Sequence, residues 1–579
     1  MPQPSTPEHG ITHMATVDPR VSPANTAGSV PAPRLGERLL ERKLIDQTQL
    51  QYALQKNEVE HQRLGRILIN HGLANESDIV QVLAEMNDIA YVSIDTLPVA
   101  EPQVLAMFNR ELCQLRQFLP LRRADDALEV LLGDADPATV AQLVLQRCGL
   151  RCRFLQGEYG KVARLIRHTY YFAQNPVESL LEREIKRLSS DSDHAYSPEK
   201  LLDYLLHYAV RERTTDIHIS PSEKSLHVLF RVDGVLRPMF AMPTQLTRLL
   251  GYIKLAAEMD ISEQRRPQDG SFRAVVLDSA LTVRVSTIIT DAGERTVMRL
   301  LPEHSDLAGL AELGFFPEDV AVLERLFAKP AGLVLITGPT GSGKSSSLHA
   351  ALRMQSLIER NVLTVEDPIE YRVPGAGQTE VNRRAGYEFG SALRHFLRHD
   401  PDVILLGEMR DAETAQAALE AAATGHLVLS TLHVTSVFGV VPRLRPLGLE
   451  AQVIADNLLA VVNQRLVRQN CPFCSVEVPF TENERIWLEL APGASGCRGQ
   501  GCDRCRGSGY YGRLPVYDIM LVDEALANSI ADDAGREAQR NMAMNAGFRS
   551  IEQIARTRIV NGQTTTEEVL RVVGVGPAP

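Results

Sequence analysis

A short apolar run that breaks into a glycine-rich loop constrains this chain more than any other feature. Gly332-Leu-Val-Leu-Ile-Thr337 leads into GPTGSGKSSS, Gly338 to Ser347, and a helix-like segment follows. Gly338 to Ser345 fits GxxxxGK(S/T), with the strand before and helix after that the pattern needs to hold phosphate. The expected ATP-binding residues are Gly338, Pro339, Thr340, Gly341, Ser342, Gly343, Lys344, Ser345 and Ser346. The glycines let backbone N–H groups turn inward around the β-phosphate, Lys344 neutralises phosphate charge, and the Ser345 hydroxyl is an expected Mg²⁺ ligand.

Other apolar runs, Val362 to Val365, Val403 to Leu406 and Leu427 to Leu432, alternate with helix-like segments from about Leu310 onward, which predicts a mainly parallel sheet. The run Asp402-Val-Ile-Leu-Leu-Gly-Glu408 ends on an acid about 60 residues beyond the loop. Glu408 thus holds the Walker B position, from which a carboxylate reaches Mg²⁺ or its water.

The 579 residues are enough for about four domains. Lys and Arg total 61 against 72 Asp and Glu, a net charge of -11, so no direct nucleic-acid binding is expected. The start, MPQPSTPEHGITHM, lacks the basic end and apolar run of a secretory signal, and no apolar stretch reaches the ~18 residues of a membrane helix. The chain is therefore expected to be cytoplasmic.

Residues 1–33 are rich in Pro, Ser, Thr and Ala, and read as a disordered tail. A repeat follows: RLGERLLERKLIDQTQLQYALQKN starts at Arg34, and RLGRILINHGLANESDIVQVLAEM at Arg63, 29 residues later. Helical spacing of apolar residues around a polar turn predicts two short helices per copy. Residues 98–172 read as a small α/β unit, so 34–172 form one N-terminal domain; 173–197, with mixed charges and Ser-Asp pairs, read as a linker. Residues 198–305 read as an α+β domain, with strands at Asp216–Ile219, Leu226–Val232, Leu281–Val285 and Thr296–Leu300 alternating polar and apolar residues. The loop-bearing domain fills 306–579.

Cys471-Pro-Phe-Cys474 and Cys502-Asp-Arg-Cys505 have the spacing of a closed tetrahedral Zn²⁺ site, in an insert at about 469–513. Cys497 is a competing ligand; Cys113, Cys148 and Cys152 read as core or incidental.

LTVEDPIEY (Leu363 to Tyr371), LRHDPDVILLGEMRDAETA (Leu397 to Ala415) and TGHLVLSTLH (Thr424 to His433) resemble the Asp box, Walker B and His boxes of the type II secretion and type IV pilus assembly ATPases. The resemblance runs from about Arg34 to the end. It implies a multidomain α/β chain: a helical plus α/β N-terminal domain, a PAS-like α+β middle domain, and a RecA-like P-loop domain with a zinc-binding insert. It also implies ATP hydrolysis. Glu370 would activate water, with Glu366 the second choice, and Asp367 would join Ser345 and Glu408 around Mg²⁺. His426 and His433 would lie near the γ-phosphate or the strand behind it. Arg284 and Arg299, in LTVRVSTIITDAGERTVMRLL, would bring positive charge to the γ-phosphate when the site closes. Arg394, Arg398 and Arg410 are alternatives for contacts between subunits.

TTDIHISP, FRVDGVL and RRPQDG resemble the second N-terminal domain of the same family, with Ser220 where Glu is common. The four-cysteine module and GYYGRLPVYDIM place the chain with secretion and pilus-extension members. The two RLG copies are similar to a domain that binds cyclic di-GMP, which implies contacts from Arg34, Leu35, Gly36, Arg63, Leu64 and Gly65; Lys43, Asn57, Met86 and Ile79 depart from its pattern. A helical docking domain is the alternative for this region. The family further implies a homohexamer, peripheral at the inner membrane, docked on the cytoplasmic side of a platform protein and driving pilus or pseudopilus assembly. The rivals are a DNA-uptake or transfer motor, and a sensor that binds ATP or cyclic di-GMP with little turnover. Leu432-His-Val-Thr-Ser436, which departs from the usual His box, leaves room for altered turnover.

Overall fold

The computed structural model describes residues 34–189, 197–244, 247–302, 309–355 and 357–577; the expected disordered tail, 1–33, lies outside them. The chain divides into two compact units, Met1–Val232 with Leu236–Asp306, and Leu307–Pro579 with Asp233–Val235.

In the first unit each RLG copy forms a helix pair: α1 (Leu35–Glu41) and α2 (Gln47–Glu60), then α3 (Leu64–Asn70) and α4 (Glu76–Met86). The repeat explains the packing. A methyl group at Gly36 would sit 2.9 Å from Leu50 and 3.4 Å from Leu64, and one at Gly65 would sit 3.1 Å from Ile79 and 3.5 Å from Leu35. The Leu of each copy thus lies on the Gly of the other, and only a residue without Cβ lets the helices approach so closely.

A four-stranded sheet follows, in the order β1 (Ala90–Tyr91), β4 (Arg151–Gln156), β3 (Ala127–Leu132), β2 (Phe118–Ala124), with α5 (Pro137–Cys148) and α6 (Tyr159–Gln174). The stretch expected to be a linker is instead helical over α7 (Val177–Ser189). Its mixed charges occupy one side of an amphipathic helix, while Val177 and Leu181 are buried with Leu201, Leu205, Ile217 and Phe230.

Next come α8 (Pro198–Arg211), α9 (Thr247–Ala256) and a six-stranded sheet, β7 (Val235–Pro243), β6 (Ser225–Val232), β5 (Thr214–Pro221), β10 (Gly293–Pro302), β9 (Ser279–Thr290), β8 (Gln268–Val276). The pairings of β5 with β6 and β10, and of β9 with β8 and β10, are antiparallel. Ile217, Ile219, Val228, Phe230, Val283, Val285 and Met298 face the core with the helices. The alternate residues form a polar face.

The second unit holds a seven-stranded sheet, β13 (Gly377–Glu380), β12 (Val362–Glu366), β14 (Val403–Leu406), β15 (Leu427–Leu432), β11 (Gly332–Thr337), β16 (Leu458–Asn470), β19 (Tyr510–Leu521). Every pairing is parallel except that of β16 with β19. Strands β11, β14 and β15 are buried along their whole length, as expected of strands covered on both faces. A two-stranded sheet, β17 (Ser475–Pro479) and β18 (Ser495–Gly499), lies between the two cysteine pairs in the chain.

Candidate functional site

Because β12, β14, β15 and β11 run parallel, their carboxyl ends share one edge, the edge at which open α/β sheets bind ligands. The phosphate loop leaves β11 there and ends in α10 (Lys344–Arg353). Gly338, Gly341 and Gly343 take φ values of 140, 75 and 89°, in the left-handed region that favours glycine. Two of them also meet a neighbour: a Cβ at Gly338 would lie 2.4 Å from the Gln464 carbonyl oxygen, and one at Gly343 would lie 2.9 Å from Gln464 Nε2. Lys344 folds over the loop, its Nζ donating to the carbonyls of Gly338 and Pro339 at 3.0 Å each. Burial pulls its pKa below the ordinary lysine value, against the opposing pull of Glu408 and then Glu370.

The acids collect on the same edge. Glu408, just beyond β14, lies between Arg410 (2.5 Å) and His433 (3.6 Å), and His433 directly follows β15. Glu366, the last residue of β12, is buried and committed. Its Oε1 accepts from Thr364 at 2.7 Å and Gln378 at 3.1 Å. Its Oε2 is 3.0 Å from His349 Nε2, an ion-pair contact off the N–H axis, while His349 Nδ1 meets the Ser345 carbonyl at 2.7 Å. Burial pushes the His349 pKa down, but Glu366 outweighs it and the net shift is upward. Glu370 is exposed. Asp367 pairs with Arg383 at 2.6 Å.

Of the residues expected around the phosphates within this domain, His426 does not join the cluster. His426 precedes β15, so it stands at the amino edge, about six strand residues or ~20 Å from the loop. The ring meets the Ala421 carbonyl at 2.9 Å and Thr424 at 3.2 Å. It stands between the end of the helix α11 (Ala412–Ala423) and the start of β15, away from the loop. Conversely, His349, Gln378 and Gln464 join the site without having been expected. His349 had a readable signal, since it lies one helical turn from Ser345; Gln464 had none.

On the polar face of the six-stranded sheet, Arg284 and Arg299 are direct cross-strand partners. Arg299 Nε donates to the buried Asp216 at 2.8 Å, and Arg231, absent from the sequence expectations, reaches the same carboxyl at 3.6 Å. Of the alternatives, Arg394 pairs with Glu413 at 2.5 Å.

The thiols of Cys471, Cys474, Cys502 and Cys505 all lie within 4.8 Å of one another, with close pairs at 3.9, 3.8 and 3.7 Å. Amide N–H groups of Gly501, Cys502 and Gly509 donate to sulfur at 3.1–3.3 Å. Burial pushes the Cys505 thiol up, but the Cys502 and Gly509 amides outweigh it and bring it to about 7. Cys497 stands outside this group.

In the RLG copies, Leu35, Gly36, Leu64 and Gly65 are taken up in helix packing. Arg34 is exposed, and Arg63 forms an ion pair with Asp134 at 2.7 Å. Arg66 also meets Asp134, at 3.1 Å, and lies over the ring of Tyr159.

A phosphate loop on a parallel sheet, with acids closing on it from the neighbouring strand ends, defines a P-loop nucleotide-binding domain. The chain belongs to the type II/IV secretion system protein family, whose profile matches residues 191–571. A second profile, the MshEN domain, matches residues 87–175, beginning after both RLG copies. The chain is similar to the type II secretion system protein E of Aeromonas hydrophila, at 42% identity over 385 residues, 66% of this chain and 77% of the relative. It is similar to the type II secretion system ATPase E of Vibrio cholerae serotype O1, at 43% over 376 residues, 64% of this chain and 75% of the relative. Over 531 residues it is 34% identical to the type IV pilus assembly ATPase PilB of Thermus thermophilus, covering 88% of this chain and 59% of the relative. No helix among the described residues is long and apolar enough to cross a membrane.

Proposed function

We propose that this chain is an ATP hydrolase that powers assembly of a pilus or pseudopilus, for type II secretion or type IV pilus extension. The observation that carries this reading is the phosphate loop at the carboxyl edge of the parallel strands, with Glu366 and Glu408 at the ends of the neighbouring β12 and β14, in a chain of this family. The loop from Gly338 to Ser346 would cradle the phosphates, and Lys344 would trade its contacts with loop carbonyls for phosphate oxygens. Ser345 and Glu408 would hold Mg²⁺, which supplies charge neutralisation when bound. Glu370 would orient and deprotonate the attacking water: both Glu366 oxygens already face donors, whereas Glu370 is exposed and acts on Lys344. Arg284 and Arg299 would add positive charge as the second N-terminal domain closes within a homohexamer.

The four thiols fit structural zinc, since a tetrahedron with Zn–S bonds of about 2.3 Å has edges of ~3.8 Å. The ion would tie the small two-stranded insert to the ends of β16 and β19. The N-terminal domain is read as docking on the cytoplasmic face of an inner-membrane platform protein, with cyclic di-GMP its candidate ligand through Arg34 and Arg63. The deciding experiment is steady-state ATP hydrolysis with oligomer size recorded, for the wild type and Lys344→Ala. Hydrolysis by a hexamer that Lys344→Ala abolishes supports the reading; nucleotide binding without turnover in the assembled ring refutes it in favour of a sensor.

A further inference from the structure

We propose that Gln464, on β16, is a positioning residue that sets the phosphate loop from behind. Strand β16 pairs with β11 up to Thr337–Asn463, where β11 turns into the loop while β16 runs on beneath it. Gln464 is the first residue past that point, and it is 1% exposed. Its Nε2 donates to the Ser342 carbonyl at 2.7 Å and its Oε1 accepts from the Ser347 hydroxyl at 2.9 Å. One side chain thus grips both the turn of the loop and the first turn of α10.

The grip has a directional consequence. In a trans peptide the C=O and the following N–H point in opposite directions. Holding the Ser342 carbonyl back onto β16 therefore turns the Gly343 N–H the other way, toward the side where a phosphate loop receives its anion. Gly338 and Gly343 complete the fit, because a Cβ on either would strike Gln464. Gln464 is itself held. It stands opposite Tyr517 of β19, whose hydroxyl donates to Asp319 at 2.7 Å and accepts from the Phe316 N–H at 2.9 Å. The loop is thereby formed in advance, and ordering it does not draw on the binding energy of the nucleotide.

This inference rests on the phosphate-loop reading, and the experiment separates the two. A fluorescent ATP analogue is titrated into full-length wild type, Gln464→Met, Ser347→Ala and Lys344→Ala, with kcat, KM and the apo Tm measured for each. Lys344→Ala tests the loop: if it leaves affinity and turnover intact, that reading fails whatever Gln464 does. With the loop reading standing, Gln464→Met, which fills the space without hydrogen bonding, is expected to weaken nucleotide binding about tenfold and Ser347→Ala about threefold. KM should rise more than kcat falls, and the apo Tm should stay within a few degrees. Unchanged affinity in both variants overturns the proposal, as does affinity lost only in step with Tm. Should Gln464→Met fail to fold, Ser347→Ala alone decides, with a threefold loss at constant Tm in favour and unchanged affinity against.

Discussion

The two large sheets of this chain place their polar residues differently. In the mainly parallel sheet of the second unit, β11, β14 and β15 are buried from end to end. The candidate site residues Lys344, Glu366, Glu370, Glu408 and His433 lie at or beyond its carboxyl edge. In the antiparallel sheet of the first unit, one face packs apolar residues on helices and the other carries the alternate, mostly polar residues. Asp216, Arg231, Arg284 and Arg299 form a row across four strands on the other, polar face. Parallel pairing thus leaves polar residues to the strand ends, and antiparallel pairing lets them alternate along the strands and line up across them.

The sharpest test of the edge is Lys344→Ala. Loss of the one loop ammonium is expected to lower turnover by at least ~100-fold, measured as phosphate release at saturating ATP. Turnover within tenfold of wild type would mean that the edge is not the catalytic site. Glu370→Gln comes next: a general base removed without change of shape costs about 100-fold in kcat, with nucleotide affinity retained. Glu366→Gln should be milder in kcat but should lower Tm, because it weakens a buried pairing with His349. If Glu366→Gln proves the more damaging to kcat, the two roles are reversed.

The face is tested by Arg284→Ala. Arg284 is exposed, so its removal should leave Tm within about 1 °C, the behaviour of surface substitutions. A charge that acts only as the site closes should still cost roughly tenfold in kcat at constant affinity. A Tm loss that accounts for the lost activity would make the row a structural element.

The same contrast explains what the sequence made legible. The runs Val403–Leu406 and Leu427–Leu432 are the whole of β14 and β15, since a strand covered on both faces is largely apolar, with only Ser430 and Thr431 polar between them. Strand β8 was not readable: QDGSFRAVV opens on turn-like residues and, at the sheet edge, is buried only at Val276. The charged stretch before residue 190 looked like a linker because its buried side is narrow, with Val177 and Leu181 carrying it. At the site, residues fixed by local spacing were visible from the loop pattern and the strand ends. Gln464 was not, because its bond to Ser347 joins positions 117 residues apart and no local pattern marks it.

The smallest expected effect tests the confinement of the site to the carboxyl edge. His426 and His433 flank the same strand at opposite ends, and its six residues separate them by about 20 Å. Its ring is spent on the Ala421 carbonyl, where α11 ends, and its own carbonyl accepts from Gly332 N at 3.0 Å, which no side-chain substitution removes. His426→Ala therefore deletes the contacts of one ring nitrogen with Ala421 and Thr424 at a helix end, worth about 0.5–1.5 kcal/mol, or a few degrees of Tm. Turnover per folded protein should stay within about twofold, because nothing at the carboxyl edge has lost a partner. A drop beyond tenfold at unchanged Tm would show that the amino edge also takes part in the reaction, and the division between edge and face would no longer describe how this chain works.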